Sequence, residues 1–281
     1  VDTSMQTVTS HTSGEGGASL PRKTTARGTA YFEAGDGETL ILIHGVGMRL
    51  EAWAPQIEAF AKTHRVFALD MPGHGASEKI PAGSTLRDYV AWFGCFLEDL
   101  SIARASIAGH SMGALISGGA VATFSDRITR VAYLNGVYRR DAAAKAAVLA
   151  RAEAIRENGV DAEGPLERWF GEDPESQRAR ELTRTWLEMV DPEGYAIAYA
   201  AFAGGDEIYA DCWPSVECPA LFLTGSGDPN STPEMAKQMA SVTPKGWARI
   251  VDGHRHMVNL TAPEIVNALM SEWLTSREKP R

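Results

Sequence analysis

The sequence predicts an α/β protein: a mostly parallel, twisted sheet flanked by helices, with a helical cap inserted into it. Short β-rich runs alternate with longer helical patterns from Thr29 onward, the order that places helices on both faces of a parallel sheet. Each run also ends in a small or polar residue that opens a loop. Between Asn135 and Cys218 this alternation stops, and roughly eighty residues read as helices broken by Gly and Pro.

The first strong run, Leu40-Ile41-Leu42-Ile43, leads into His44-Gly45, the second, Arg65 to Leu69, into Asp70, and the third, Ala105 to Ala108, into Gly109. Val131 to Leu134 ends at Asn135-Gly136, Ala220 to Thr224 ends at Gly225, and Ala248 to Val251 is the last. Nearly continuous apolar runs of this length suit strands covered on both faces. Helical patterns lie between them at Trp53 to Lys62, Leu86 to Leu100, Met112 to Thr123, Pro233 to Ser241 and Pro263 to Leu274. The insertion reads as four more helices, Asp141 to Asn158, Pro165 to Phe170, Glu175 to Val190 and Pro192 to Ala203. The expected division is therefore a core over residues 26–136 and 216–281, a cap over 137–215, and an arm over 1–25. The arm is rich in Ser, Thr and Gly without an apolar period, and is expected to be mobile.

A length of 281 residues suffices for one large domain. With 44% hydrophobic and 22% charged residues the chain is not a disordered one. Lys and Arg number 27 against 36 Asp and Glu, a net charge of -9, which opposes the phosphate neutralisation that nucleic-acid binding requires. No run approaches the roughly eighteen apolar residues of a membrane span, and no basic-then-apolar leader opens the chain. Cys95, Cys212 and Cys218 are odd in number and lack CxxC spacing, so a reducing compartment fits best. A cytoplasmic protein with a small-molecule substrate is expected; neither nucleic acid nor membrane is a partner, and the oligomeric state is not readable.

Chemistry concentrates at Gly109-His110-Ser111-Met112-Gly113, a G-x-S-x-G that directly follows a strand and opens a helix. A serine on so tight a turn needs small residues two before and two after it, so that strand and helix can approach. Ser111 is the expected nucleophile, and the free amide of Met112 at the helix start is suited to an oxyanion. A serine hydroxyl needs a base, and the base a carboxylate behind it; on such a turn the chain order is Ser, acid, His. After Ser111 the histidines are His254 and His256, just past the last strand, and one of them should be the base. Asp228, just past the preceding strand, is the expected acid. The second oxyanion amide should come from the loop after Ile43, where Val46 lies between two glycines. His44 precedes the nucleophile and His74 sits in a Gly-rich loop, so both read as loop supports. No H-x-x-x-H or H-E-x-x-H spacing suggests zinc, and the chemistry needs no metal or organic cofactor.

The cap carries Trp169, Phe170, Trp186, Tyr195, Tyr199 and Phe202. Most should pack its own small core, with Trp169, Trp186 and Tyr195 the candidates for lining a pocket. Arginines at 139, 140, 168, 178, 180 and 184 sit among many acids, so surface pairing accounts for most of them. Arg139 and Arg140, which follow a strand-end loop, are the two candidates for a substrate carboxylate.

Taken together, His44-Gly45-Val46-Gly47, the run from Asp70 to Ser77, the Ser111 motif, Asp228 and His256 resemble the α/β-hydrolase-fold serine hydrolases from Tyr31 to Leu274. The resemblance implies that His256 is the base, because His256 to Pro263 fits that family's spacing, with Thr261 where Glu is usual. Trp53-Ala54-Pro55-Gln56, Arg168-Trp169-Phe170 and the run from Asp191 to Ala196 are similar to 3-oxoadipate enol-lactonase-type members. The expected activity is hydrolysis of a small carboxylic ester or enol-lactone through an acyl-enzyme. The alternatives are a carbon–carbon hydrolase acting on a vinylogous β-diketone, an amidase with the same triad, and a hydrolase-fold ligand receptor with slow turnover.

Overall fold

A computed structural model describes residues 19–276. Eight strands form one sheet: β1 (Lys23–Thr24), β2 (Ala30–Ala34), β3 (Glu38–Ile43), β4 (His64–Leu69), β5 (Ala105–His110), β6 (Ile128–Leu134), β7 (Ala220–Gly225) and β8 (Gly246–Val251). Their order is β1-β2-β4-β3-β5-β6-β7-β8. β2 pairs antiparallel with both β1 and β4, and the remaining pairings, from β4 through β8, are parallel. The six parallel strands are those expected, lengthened by up to three residues at an end; the antiparallel pair at the edge was not.

Between the strands run α1 (Ala54–Phe60), α2 (Leu86–Asp99) and α3 (Met112–Thr123). The insertion forms α4 (Ala142–Asn158), α5 (Glu163–Trp169), α6 (Pro174–Met189) and α7 (Pro192–Ala203), and the chain closes with α8 (Pro233–Val242), α9 (Val258–Thr261) and α10 (Pro263–Thr275). The helix starts are local chemistry. Asp173, Asp191 and Thr232 each accept a hydrogen bond from a backbone N–H three residues on, and a proline in the first turn follows each, where its missing N–H is not needed. Thr85 and Asp88 close a capping box over α2, whose apolar face then recurs at Leu86, Tyr89, Val90, Phe93 and Leu97.

Two apolar clusters cover the two faces of the sheet. One joins α2, α3, α8 and the cap to Ile41, Ile43, Ile107 and Val131. The other packs α1 and α10 on Leu40, Leu42, Ala108 and Leu221. Alternate residues of each strand thus serve opposite cores, which is why the central strands read as unbroken apolar runs. Among the described residues, no helix is long and apolar enough to cross a membrane.

Residues 1–18 of the expected mobile arm lie outside the described residues, and the rest of it is fixed by charge. The Arg22 guanidinium donates to Asp70 Oδ2 at 2.6 Å and to both oxygens of Glu51 at 2.7 and 2.8 Å. Asp70 is fully buried and also accepts the amides of Leu50 and Ala76, so one carboxylate ties the chain start to the loop from Asp70 to Ser77. Burial pushes the Glu51 carboxyl up, but the Arg22 bond and charge outweigh it and hold the group below its ordinary range. That same loop docks the cap: a Cβ on Gly73 would lie 2.6 Å from Gly194 Cα, and Lys79 reaches Glu193 at 2.6 Å.

Removing one partner of a buried ion pair leaves an uncompensated charge, commonly at a cost of about 3–5 kcal/mol. Arg22→Ala is therefore expected to lower unfolding stability by about 3 kcal/mol in urea titration; a loss below about 1 kcal/mol would contradict this account of the chain start.

Candidate active site

β5 ends at His110 and α3 begins at Met112, leaving Ser111 alone in the turn with φ 56° and ψ -115°. An L-residue in so sparsely populated a region costs on the order of 1–3 kcal/mol and persists only where its surroundings over-determine it. Here they do. The Ser111 N–H donates to Leu134 O at 2.9 Å. A Cβ at Gly109 would stand 1.9 Å from Gly113 O, and one at Gly113 2.1 Å from Ile43 O. Both glycines of the motif are thus required by backbone contact among β3, β5 and α3. The Met112 N–H belongs to the first turn of α3, where no intrahelical acceptor exists.

Asp228 follows β7 and His256 follows β8, and their side chains meet: His256 Nδ1 donates to Asp228 Oδ2 at 2.8 Å. The carboxylate also accepts Asn135 Nδ2 at 2.9 Å and the amides of Asn230 and Ser231 at 2.9 and 3.2 Å. Burial pushes the Asp228 carboxyl up, but the charge and bond of His256 and the donors from Asn135 and Asn230 outweigh it and hold it below the ordinary range. Asp228 therefore stays ionised and fixes the tautomer of His256, with Nε2 as the ring nitrogen left for chemistry. The His256 backbone is held on both sides, its N–H donating to Trp169 O at 3.2 Å and its carbonyl accepting His110 Nε2 at 2.8 Å. The Trp169 indole stacks on the imidazole with centroids 5.6 Å apart. His254 is engaged elsewhere, with Thr261 at 2.9 Å.

Ser111 and His256 line one cavity of about 290 Å³. No direct hydrogen bond joins Ser111 Oγ to His256 among the described residues; such bonds are often long before a substrate is bound. Val46 lines the same cavity. Two histidines hold the loops beside it. His44 donates from Nδ1 to Gly45 O at 2.7 Å and accepts the Met71 amide on Nε2 at 3.0 Å. His74 donates from Nδ1 to Pro72 O at 3.0 Å and accepts the Gly47 amide on Nε2 at 3.0 Å. Each ring is neutral in this arrangement, and burial pushes both pKa values down. Burial, with the neighbouring His256, likewise pushes His110 down to about 3.

The cap closes the cavity with Arg140, Trp169 and Tyr195 of the expected residues, and with Arg151, Arg168, Tyr199 and Phe202 besides. Two expected residues lie elsewhere. Arg139 points to the surface and pairs with Asp211, because the chain turns through a positive φ of 45° there. Trp186 is buried beside a different cleft, between the cap and the Gly73–Lys79 loop; its face of α6 packs downward onto the core. Arg140 lies under Phe202 and pairs with buried Asp206 at 2.9 Å, so its charge is already matched. Asn135, which anchors Asp228, carried no sequence signal beyond its place at a strand end. Among the described residues, no group of three His, Cys, Asp or Glu could hold a metal ion.

Residues 40–269 match the alpha/beta hydrolase family, and the chain belongs to it. A curated relative from Acinetobacter baylyi, (E)-2-((N-methylformamido)methylene)succinate hydrolase, is 52% identical over 87% of this chain and 93% of its own length. Among solved structures, a thermophilic esterase from Thermogutta terrifontis with malate bound matches with a TM-score of 0.82 at 26% identity, over 92% of this chain and 98% of its own. The enol-lactonase from Burkholderia xenovorans matches with a TM-score of 0.81 at 28% identity, over 91% and 100%. The enol-lactonase resemblance read from the sequence therefore holds, and the succinate hydrolase is matched at higher identity.

A carboxyl whose folded-state pKa is lowered contributes stability that is full above its unfolded value and lost as pH falls through the folded one. Asp228→Asn removes that contribution. Unfolding stability of the variant should accordingly fall less steeply than that of the wild-type protein as pH drops from about 5 towards 3; parallel slopes would contradict the depressed carboxyl.

Proposed function

We propose that this chain is a serine hydrolase that cleaves an acyl bond in a small carboxylate-bearing compound through an acyl-enzyme, with an N-acyl methylenesuccinate amide as the favoured substrate. The observation that carries the reading is the buried Asp228–His256 bond facing the same cavity as a serine held in a strained turn.

In this reading Ser111 Oγ attacks the carbonyl carbon while His256 Nε2 accepts its proton. The amides of Val46 and Met112 stabilise the oxyanion, at about 3 kcal/mol each by analogy with similar donors. Collapse of the tetrahedral species breaks the acyl bond, and His256 hands its proton to the leaving nitrogen. Water then attacks the acyl-serine with His256 as base again, releasing the acid and restoring Ser111. Asp228 keeps its charge throughout and stabilises the imidazolium that forms in each half-reaction.

The choice of an amide over an ester or lactone is supported by the relative at 52% identity, whose name places an N-methylformamido group on a methylenesuccinate. An amide nitrogen leaves only when protonated, which the tautomer fixed by Asp228 provides for. Hydrolysis of an ester or enol-lactone is the second reading, supported by the esterase and enol-lactonase matches.

The test is a panel of an N-formyl enamide of methylenesuccinate, an aryl ester, an enol-lactone and a vinylogous diketone. The formamide should be turned over best. Ser111→Ala should lower kcat about ten thousandfold or more with no loss of melting temperature; wild-type turnover in that variant would overturn the assignment. One equivalent of product followed by silence would favour a receptor instead.

A further inference from the structure

We propose that Arg151 of α4 and Arg168 of α5 form a subsite for a substrate carboxylate, and that this pair selects short dicarboxylates for the reaction at Ser111. The identity of the compound delivered to Ser111 rests on the hydrolytic reading above; the anion subsite itself does not.

The cap arginines divide sharply by partner. Arg139, Arg140, Arg156, Arg178, Arg180 and Arg184 each lie within salt-bridge distance of a carboxylate. Arg151 and Arg168 have no such partner among the described residues, in a chain with 36 acids against 27 bases. These two are also the ones that line the cavity holding Ser111 and His256 without a carboxylate to balance them. Arg140 lines it too, but Asp206 neutralises it.

Neither guanidinium is simply solvated. Arg151 Nε is buried with no hydrogen-bond partner. Burial, and then the charge of Arg151, push the Arg168 guanidinium below its ordinary range, and the opposing charge of Asp161 offsets this only in part. Asp161 is the acid that acts on Arg168, but its oxygens already accept the amides of Glu163 and Gly164 at 3.1 and 3.3 Å. Two like charges on one wall of a partly dehydrated cavity are unfavourable until an anion arrives.

Carboxylate chemistry fits that vacancy in charge. A guanidinium offers parallel N–H donors matched to the two oxygens of a carboxylate. Tyr195, Tyr199 and Phe202 give the cavity apolar walls, which strengthen such a contact by excluding water. A volume near 290 Å³ is at the small end for ligand sites, so the carboxylate and the acyl carbonyl must sit close together on one short skeleton. The pair also borders a second cavity of about 250 Å³ on the cap side, with Tyr195 and Tyr199 shared between the two.

The probe is methylenesuccinate, a stable dianion, titrated calorimetrically into the full-length protein and into Arg151→Gln, Arg168→Gln and the double variant. Arg178→Gln, which removes only a surface pair with Glu175, is the control. Each cavity variant should weaken binding by about tenfold or more, the usual reach of a charge-assisted hydrogen bond, and Arg168→Lys should recover part of the loss. The dimethyl ester should bind the wild-type protein at least about tenfold more weakly than the dianion, a preference the double variant loses. With the dianionic formamide substrate, KM should rise while kcat changes far less, whereas a merely structural role would lower kcat and melting temperature together. Binding by the double variant equal to wild type, or no binding by wild type at about 10 mM, overturns the proposal. Methylenesuccinate binding that depends on the arginines, without formamide hydrolysis, would keep the subsite and overturn the hydrolytic reading.

Discussion

The backbone of Ser111 adopts a conformation that a free chain avoids, and three backbone segments keep it there. Gly109 touches Gly113, Gly113 touches Ile43 and His44, and the Ser111 amide is bonded to Leu134. β3, β5, β6 and α3 are therefore pinned to one another at a single point at the carboxyl ends of the strands, where ligands bind in sheets of this type. The strain is stored because the surrounding contacts are mutually exclusive with any Cβ at either glycine. Its consequence is that the hydroxyl stands at the head of a helix, beside an unbonded amide.

The remaining site residues arrive by the same route, each at the end of its own strand. Asp228 comes from β7, His256 from β8 and Val46 from β3. Their loops are cross-braced by neutral histidines, with His110 holding the His256 carbonyl and His44 and His74 holding the loops near Val46. Four buried imidazoles thus do three different jobs, and their hydrogen bonds rather than their residue type decide which. The cap completes the enclosure, and Trp169 links it to the chemistry twice, by stacking on the His256 ring and by accepting its amide.

Most of the sheet was legible because a strand covered on both faces must be apolar at nearly every position, as in Leu40 to Ile43. The start of α3 was legible from the Ser111 motif, and both ends of α7 fall where the Pro192 start and the Gly204 stop put them. β1 and β2 were not, since the edge strand Lys23–Thr24 and its neighbour Ala30–Ala34 are short and carry no continuous apolar signal. Nor was the anchoring of Arg22, which depends on two carboxylates distant in sequence. The chain order of Ser111, Asp228 and His256 was readable from motif context. Helical period alone could not tell which cleft Trp186 faces. It also gave Arg151 no distinction from any other charged position on a half-exposed helix, because partner absence is a three-dimensional property.

The direct measure of the central claim is covalent trapping of the nucleophile: incubation with a fluorophosphonate, followed by proteolysis and mass mapping. The account predicts a single stoichiometric adduct on the peptide containing Ser111, formed at a rate that collapses in His256→Ala. An unlabelled Ser111 peptide, or an adduct formed as fast without the imidazole, would contradict it.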